Sequence, residues 1–116
     1  MDFTQRFLAF LDAYARKDLA FITAMLAPEV RVCDWNLALQ GHAAAVAFMR
    51  HNFEQAGSLQ IEVLHLHTSE NAVAGEVRIV VDGHIELFVV DVMVFDSEGR
   101  VRALRSYKGV DPGQPA

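Results

Sequence analysis

A chain of 116 residues holds one domain built on a single core and is too short for two. Its composition, 53% hydrophobic and 22% charged, describes a soluble globular protein, and a net charge of −5 without any basic stripe excludes nucleic acid as a partner. The single cysteine, Cys33, allows no internal disulfide and fits a reducing, cytoplasmic location; no window reaches the length of a membrane span, and the N-terminus, with Asp2 early, does not read as a signal peptide.

Phe3, Phe7, Phe10, Leu11 and Tyr14 recur at three- and four-residue spacing, which predicts an amphipathic first helix ending near Arg16 and Lys17. Asp18 is placed to cap a second helix through about Met25, with Leu19, Ile22, Met25 and Leu26 on its apolar side, and Ala27-Pro28-Glu29 stops it. Val30 to Trp35 alternates as a strand that Leu37 to Gln40 continues after a bend. Gly41 opens a third helix, His42 to about Gln55, ended by Ala56-Gly57-Ser58.

From there the period changes to two. Leu59 to Thr68, Ala72 to Val81, His84 to Phe95 and Arg100 to Tyr107 read as strands, with Asp82-Gly83 as a two-residue hairpin turn. Residues 110–116, rich in Gly and Pro, read as a flexible tail behind a domain spanning 1–109. The order predicts an α+β domain, three N-terminal helices on one face of a strongly curved, mostly antiparallel sheet, forming a cone with an internal pocket.

Asp91 lies within the most apolar stretch, Ile85 to Phe95. An ionised, unpaired carboxylate there costs several kcal/mol, so it is expected to be paired, hydrogen-bonded or protonated, and such groups are candidates for chemistry. Its bland reading is a buried pair with Arg105 or a bond to Tyr14 or Tyr107. Asp34, in Val30-Arg-Val-Cys-Asp34-Trp35, is the second candidate; its bland reading is a strand-end carboxylate satisfied by backbone N–H groups or a nearby arginine.

Strand parity puts Val32 with Asp34, and Val89 and Met93 with Asp91, on pocket-facing sides; Trp35 can line the pocket mouth or plug the core, and parity favours the core. Phe88, Val90, Val92 and Val94 make the other face of that strand apolar as well, which predicts a homodimer through the sheet. His65 and His67 share a strand face, yet no third ligand stands at a recognisable spacing, so no metal is expected. His42, His51 and His84 are expected to be exposed. No phosphate loop and no nucleophile elbow is present.

The segments Phe10 to Leu19 with Met25-Leu26-Ala27-Pro28, Val30 to Trp35, Gly41 to Val46 and Val90 to Tyr107 together resemble the nuclear transport factor 2-like superfamily, which includes ketosteroid isomerase and the SnoaL-type polyketide cyclases. The resemblance implies a conical α+β fold, dimerisation through the sheet face and a small hydrophobic carbonyl ligand, such as a steroid, polyketide or terpenoid, handled without a cofactor. It aligns Asp34 with the isomerases' general base and Asp91 with their protonated, hydrogen-bond-donating aspartic acid. Phe10 stands where those enzymes keep a tyrosine, and Tyr14 follows one turn later, so Phe10 and Tyr14 are expected as pocket walls. A non-catalytic binding or assembly domain is the alternative. Water activation by paired carboxylates, as in the superfamily's limonene epoxide hydrolases, is another and calls for an arginine between the acids.

Overall fold

In the computed structural model, which describes residues 1–113, the elements follow one another as α1 (Phe3–Ala15), α2 (Leu19–Met25), β1 (Leu26–Cys33), β2 (Ala38–Gln40), α3 (His42–Gln55), β3 (Leu59–Thr68), β4 (Ala72–Val81), β5 (Ile85–Phe95) and β6 (Val101–Gly109). Asp2 opens α1 by accepting a hydrogen bond from the Gln5 N–H at 3.1 Å. The helix closes on a left-handed residue, Lys17, at φ 58°. The Lys17 N–H donates to Tyr14 O at 3.0 Å and the Asp18 N–H to Ala13 O at 2.8 Å, the paired bonds of a Schellman turn.

A lysine in that conformation is strained by about 1–2 kcal/mol. Its ammonium donates to the carbonyls of Ala56 and Gly57, so the strained residue ties the end of α1 to the end of α3. Asp18 then caps α2 through the Phe21 N–H at 3.1 Å. His42, expected in solvent, is half-buried instead, its ring Nε2 2.9 Å from Thr23 O near the end of α2.

Pro28 acts as expected on the helix, but the strand begins earlier than the alternation indicates, at Leu26 rather than Val30. A proline is tolerated there because the pairing of β1 with β6 is irregular between Leu26 and Arg31, where no continuous ladder demands its missing N–H. The strand also stops at Cys33, short of Asp34 and Trp35. Asp82 and Gly83 both take positive φ, 54° and 77°, the mirror-image turn that suits a hairpin's twist.

The six strands form one open, curved sheet in the order β2-β1-β6-β5-β4-β3, antiparallel throughout except for the parallel pairing of β1 with β6. The three helices cover the inner face, α1 over β3 and β4 and α3 over β1 and β2. Phe7, Phe10, Ile22, Met49 and Phe95, all fully buried, form the heart of the core. Phe7 reaches the sheet at Gly75, where a Cβ would lie 2.5 Å from its ring Cζ, so only glycine admits this approach. On the opposite face Phe88, Val90 and Val92 are half-buried. No helix is long and apolar enough to cross a membrane among the described residues. Of the expected tail, residues 110–113 join no helix or strand, and residues 114–116 lie outside the described residues.

Candidate functional site

Because α1 descends onto the sheet at Phe7 and α3 sits over the other end, the inner face between them is left uncovered, enclosing a cavity of about 370 Å³. Its walls are mostly aliphatic and aromatic: Phe10 from α1, Met49 from α3, Val32 from β1 and Leu87 and Val89 from β5 are among them. Asp34, Asp91, Tyr14, Asn52 and Ser106 supply polar groups. The volume and the scarcity of polar groups are those of a small-molecule site.

The register of the sheet explains how the two aspartates reach one cavity. Gly75 pairs with Asp91, Asp91 with Ser106, and Cys33, the residue before Asp34, with Arg105, the residue before Ser106. Gly75, Asp91 and Ser106 therefore form a single row across three neighbouring strands, and Asp34 follows directly on the last paired residue of β1, beside that row. With strands about 4.8 Å apart, the backbones of Asp91 and Asp34 are separated by roughly 10 Å, space enough for a ligand's reacting atoms between the carboxyl groups.

Asp91 is 8% exposed and makes one side-chain hydrogen bond, from Ser106 Oγ at 2.6 Å to its Oδ1. Burial raises its pKa, against the smaller opposing effect of the Ser106 hydroxyl. None of the bland partners is engaged: Arg105 and Tyr107 flank Ser106 on β6 and so face away, and Tyr107 is largely exposed.

Asp34 is held differently. It is half-buried in the turn after β1, and its Oδ1 accepts from the N–H groups of Asn36 at 2.8 Å and Leu37 at 3.0 Å, while its own N–H donates to Leu37 O at 2.9 Å. This is an aspartate-stabilised turn, the backbone-satisfied arrangement weighed above. Its Oδ2 has no partner among the described residues.

Tyr14 reaches the cavity. Asn52 Nδ2 donates to its hydroxyl oxygen at 3.0 Å, and burial raises the phenol's pKa, with the charges of Asp91 and Asp34 adding to the rise and Asn52 opposing it. Met93, expected on the wall, does not line the cavity: it shares the Val89 and Asp91 face but is fully buried in the core, toward the end filled by Phe7 and Phe95. Trp35, expected in the core, is 44% exposed at the cavity wall, with Lys108 Nζ 5.7 Å from its ring centre. Parity misplaces it because the strand, and with it the alternation, ends two residues earlier.

His67 lies outside the cavity, its ring Nε2 2.5 Å from Glu76 Oε2 between exposed side chains. Among the described residues no three His, Cys, Asp or Glu side chains converge as a metal site would need. Sequence reasoning passed over Ser106 and Asn52. Asn52 had a signal, since it lies beside the buried stripe of Ala45, Met49 and Phe53 on α3. Ser106 had none: a hairpin count from Phe95 and Val101 sets Arg105 opposite Asp91, and the register shift between Val94 and Phe95 moves the pairing to Ser106.

Solved structures share the fold at low sequence identity. A SnoaL-like protein of unknown function from Burkholderia thailandensis superposes with a TM-score of 0.80 at 20% identity, over 93% of this chain and 96% of that one. A putative ketosteroid isomerase from Kribbella flavida gives 0.72 at 21%, over 90% and 76%. An LEH-like epoxide hydrolase from M. tuberculosis gives 0.76 at 17%, over 90% and 80%. No curated protein matches the sequence. The family model of the SnoaL-like domain matches residues 7–104, and with that fold and cavity the chain belongs to the SnoaL-like domain family, within the nuclear transport factor 2-like superfamily.

Proposed function

We propose that the cavity receives a small hydrophobic carbonyl compound and that the protein catalyses cofactor-free proton transfer on it, of the isomerase or cyclase type. The observation that carries this reading is the pair of carboxyl groups on one largely apolar wall in contrasting environments, Asp91 buried with one hydroxyl partner and Asp34 in a turn with Oδ2 uncommitted. Two carboxyl groups whose surroundings set them apart suit the roles of acid and base.

Asp34 Oδ2 takes the proton from the carbon next to the carbonyl. The electron pair of that C–H bond forms the enolate double bond, and the carbonyl π pair moves onto oxygen. Asp91, protonated, donates a hydrogen bond to that oxygen as its charge grows. Return of the proton from Asp34 to another carbon of the conjugated system completes an isomerisation. The same reading includes a cytoplasmic protein and a homodimer through the sheet face that bears Phe88, Val90 and Val92.

Exchange of deuterium from solvent into the α-position of hydrophobic ketones tests the proposal. The protein should catalyse exchange for a subset of a ketone panel, and Asp34→Asn should abolish it while ligand affinity stays nearly unchanged. Binding without exchange in the unmodified protein would instead favour a non-catalytic receptor. That second reading draws support from the two backbone N–H groups that already engage Asp34 and from Phe10 at the aligned tyrosine position. Water activation on the epoxide hydrolase pattern draws less, because no arginine is among the described residues lining the cavity.

A further inference from the structure

The mouth of the cavity carries a cation to which the reaction above gives no role. Among the lining residues Trp35, Asn36 and Gln55 are exposed, which places the opening between the turn after β1 and the end of α3. Leu104 and Ser106 line the cavity from β6, and alternation puts Lys108, two residues on, on the same inner face. Its cross-strand partner on β5 is Val89, itself a lining residue. Lys108 is exposed and stands just outside the lining, its ammonium 5.7 Å from the centre of the Trp35 ring. The ring face attracts the cation but offers its three N–H donors no oxygen. Among the described residues Lys108 makes no ion pair, in a chain with 15 acidic residues to 10 Lys and Arg.

We propose that Lys108, steadied by Trp35, binds an anionic group at the outer end of the ligand, and that the ligand is a keto acid with its neutral carbonyl inside and its carboxylate at the mouth. The place of the carbonyl rests on the proton-transfer reading; the anion site at the mouth does not. Two residues of strand, about 7 Å, separate Lys108 from Ser106, the partner of Asp91, so the cavity changes from acidic to basic along β6. That polarity fixes the ligand's direction. A carboxylate turned inward would meet two acids with no cation among the described lining residues, whereas one at the mouth meets the ammonium and keeps part of its hydration. Between the two ends Trp35 offers the ligand's body a flat apolar surface.

Two compounds of nearly the same shape, 6-acetyl-2-naphthoate and its methyl ester, separate the charge from the apolar fit. In calorimetry at low salt the unmodified protein should bind the acid about three- to fivefold more tightly than the ester, the upper range for a solvent-exposed ion pair. The preference should shrink as salt is raised. Trp35 is the single tryptophan of the chain, so both compounds should also quench the protein's tryptophan fluorescence. Lys108→Gln should abolish the preference by weakening the acid alone. Ester affinity should stay within about twofold, which also reports an intact fold and cavity. Lys108→Arg should keep the preference and Lys108→Glu should reverse it.

With the acid as substrate for deuterium exchange, Lys108→Gln should raise KM and leave kcat nearly unchanged, because the ion pair is the same in the ground state and the transition state. An acid-to-ester ratio that Lys108→Gln leaves unaltered, with both compounds bound, overturns this inference alone. A ratio that responds to Lys108 while neither compound exchanges supports the mouth site and overturns the proton-transfer reading instead. Failure of the unmodified protein to bind either compound overturns the ligand cavity and this inference with it.

Discussion

Replacing Asp91 by asparagine isolates the energetics of the buried carboxyl group. Asp91 is 8% exposed, its side chain has the Ser106 hydroxyl as its hydrogen-bond partner at 2.6 Å, and desolvation lifts its pKa above the ordinary 3.8. Between that ordinary value and the raised one, the folded chain keeps a proton that the unfolded chain has released. The stability associated with the neutral group is therefore fully present below the unfolded pKa and is lost as pH rises through the folded one. For one proton the slope approaches about 1.4 kcal/mol per pH unit.

Asparagine has the shape and neutrality of the protonated acid, can hydrogen-bond to Ser106, and carries no such slope. The difference in unfolding free energy between Asp91→Asn and the parent should thus grow in the variant's favour with rising pH, beginning just above the ordinary carboxyl pKa, and then level off. Every other carboxyl group is common to both chains and cancels. Urea unfolding followed by circular dichroism, at closely spaced values from about pH 4 to 8, measures it. A difference that stays constant over the whole range would refute the account of a desolvated group that holds its proton. A slope of the opposite sign would mean that the fold stabilises the anion instead.

Asp34→Asn should reduce catalysed α-proton exchange by about 10²–10⁴-fold, the usual worth of a positioned general base, and calorimetric ligand affinity should barely move. Gly75→Ala forces a methyl to within 2.5 Å of Phe7 Cζ and should cost about 1–3 kcal/mol in denaturant midpoint terms; a neutral result would mean that α1 can shift off the sheet without penalty. Val90→Arg, on the outer face of β5, should convert a dimer to a monomer in sedimentation velocity, and a parent already monomeric at the same concentration would remove the dimer from the proposal.

The helices, the hairpins and the strands were legible because their signals are local: aromatic residues at helical spacing in α1, Asp18 at a cap, Asp82-Gly83 in a two-residue turn, and a switch to strand-like segments from Leu59 onward. What escaped depended on where alternation stops. Parity carried past Cys33 put Trp35 inside, whereas the turn built on Asp34 brings it to the cavity wall. Parity also puts Met93 on the right face but says nothing of depth along the strand, which is decided by how far Phe7 descends on Gly75. His42 was misjudged because its partner, the Thr23 carbonyl, belongs to another helix. The reach of Tyr14 likewise required the position of α3, since Asn52 lies 38 residues away in the chain.

The two aspartates face one cavity, and their difference comes from where each stands relative to the end of its strand. Asp91 is inside β5, whose N–H and C=O groups are already engaged with β4 and β6, so the backbone has nothing left to offer its carboxyl and a side-chain hydroxyl must serve. Asp34 falls one residue past the end of β1, where the ladder has released the backbone and two N–H groups turn back to meet it. No lysine, arginine or histidine is among the described residues lining the cavity to balance a second negative charge. Desolvation, with only the Ser106 hydroxyl to oppose it, favours the neutral form of Asp91. A cavity so arranged also disfavours an anionic group at its inner wall, where a carboxylate would bring another uncompensated charge. Neutral carbonyl compounds meet a donor from Asp91 without that cost. The cavity's charge balance is thus a second support for the proposed substrate class, beside its apolar walls.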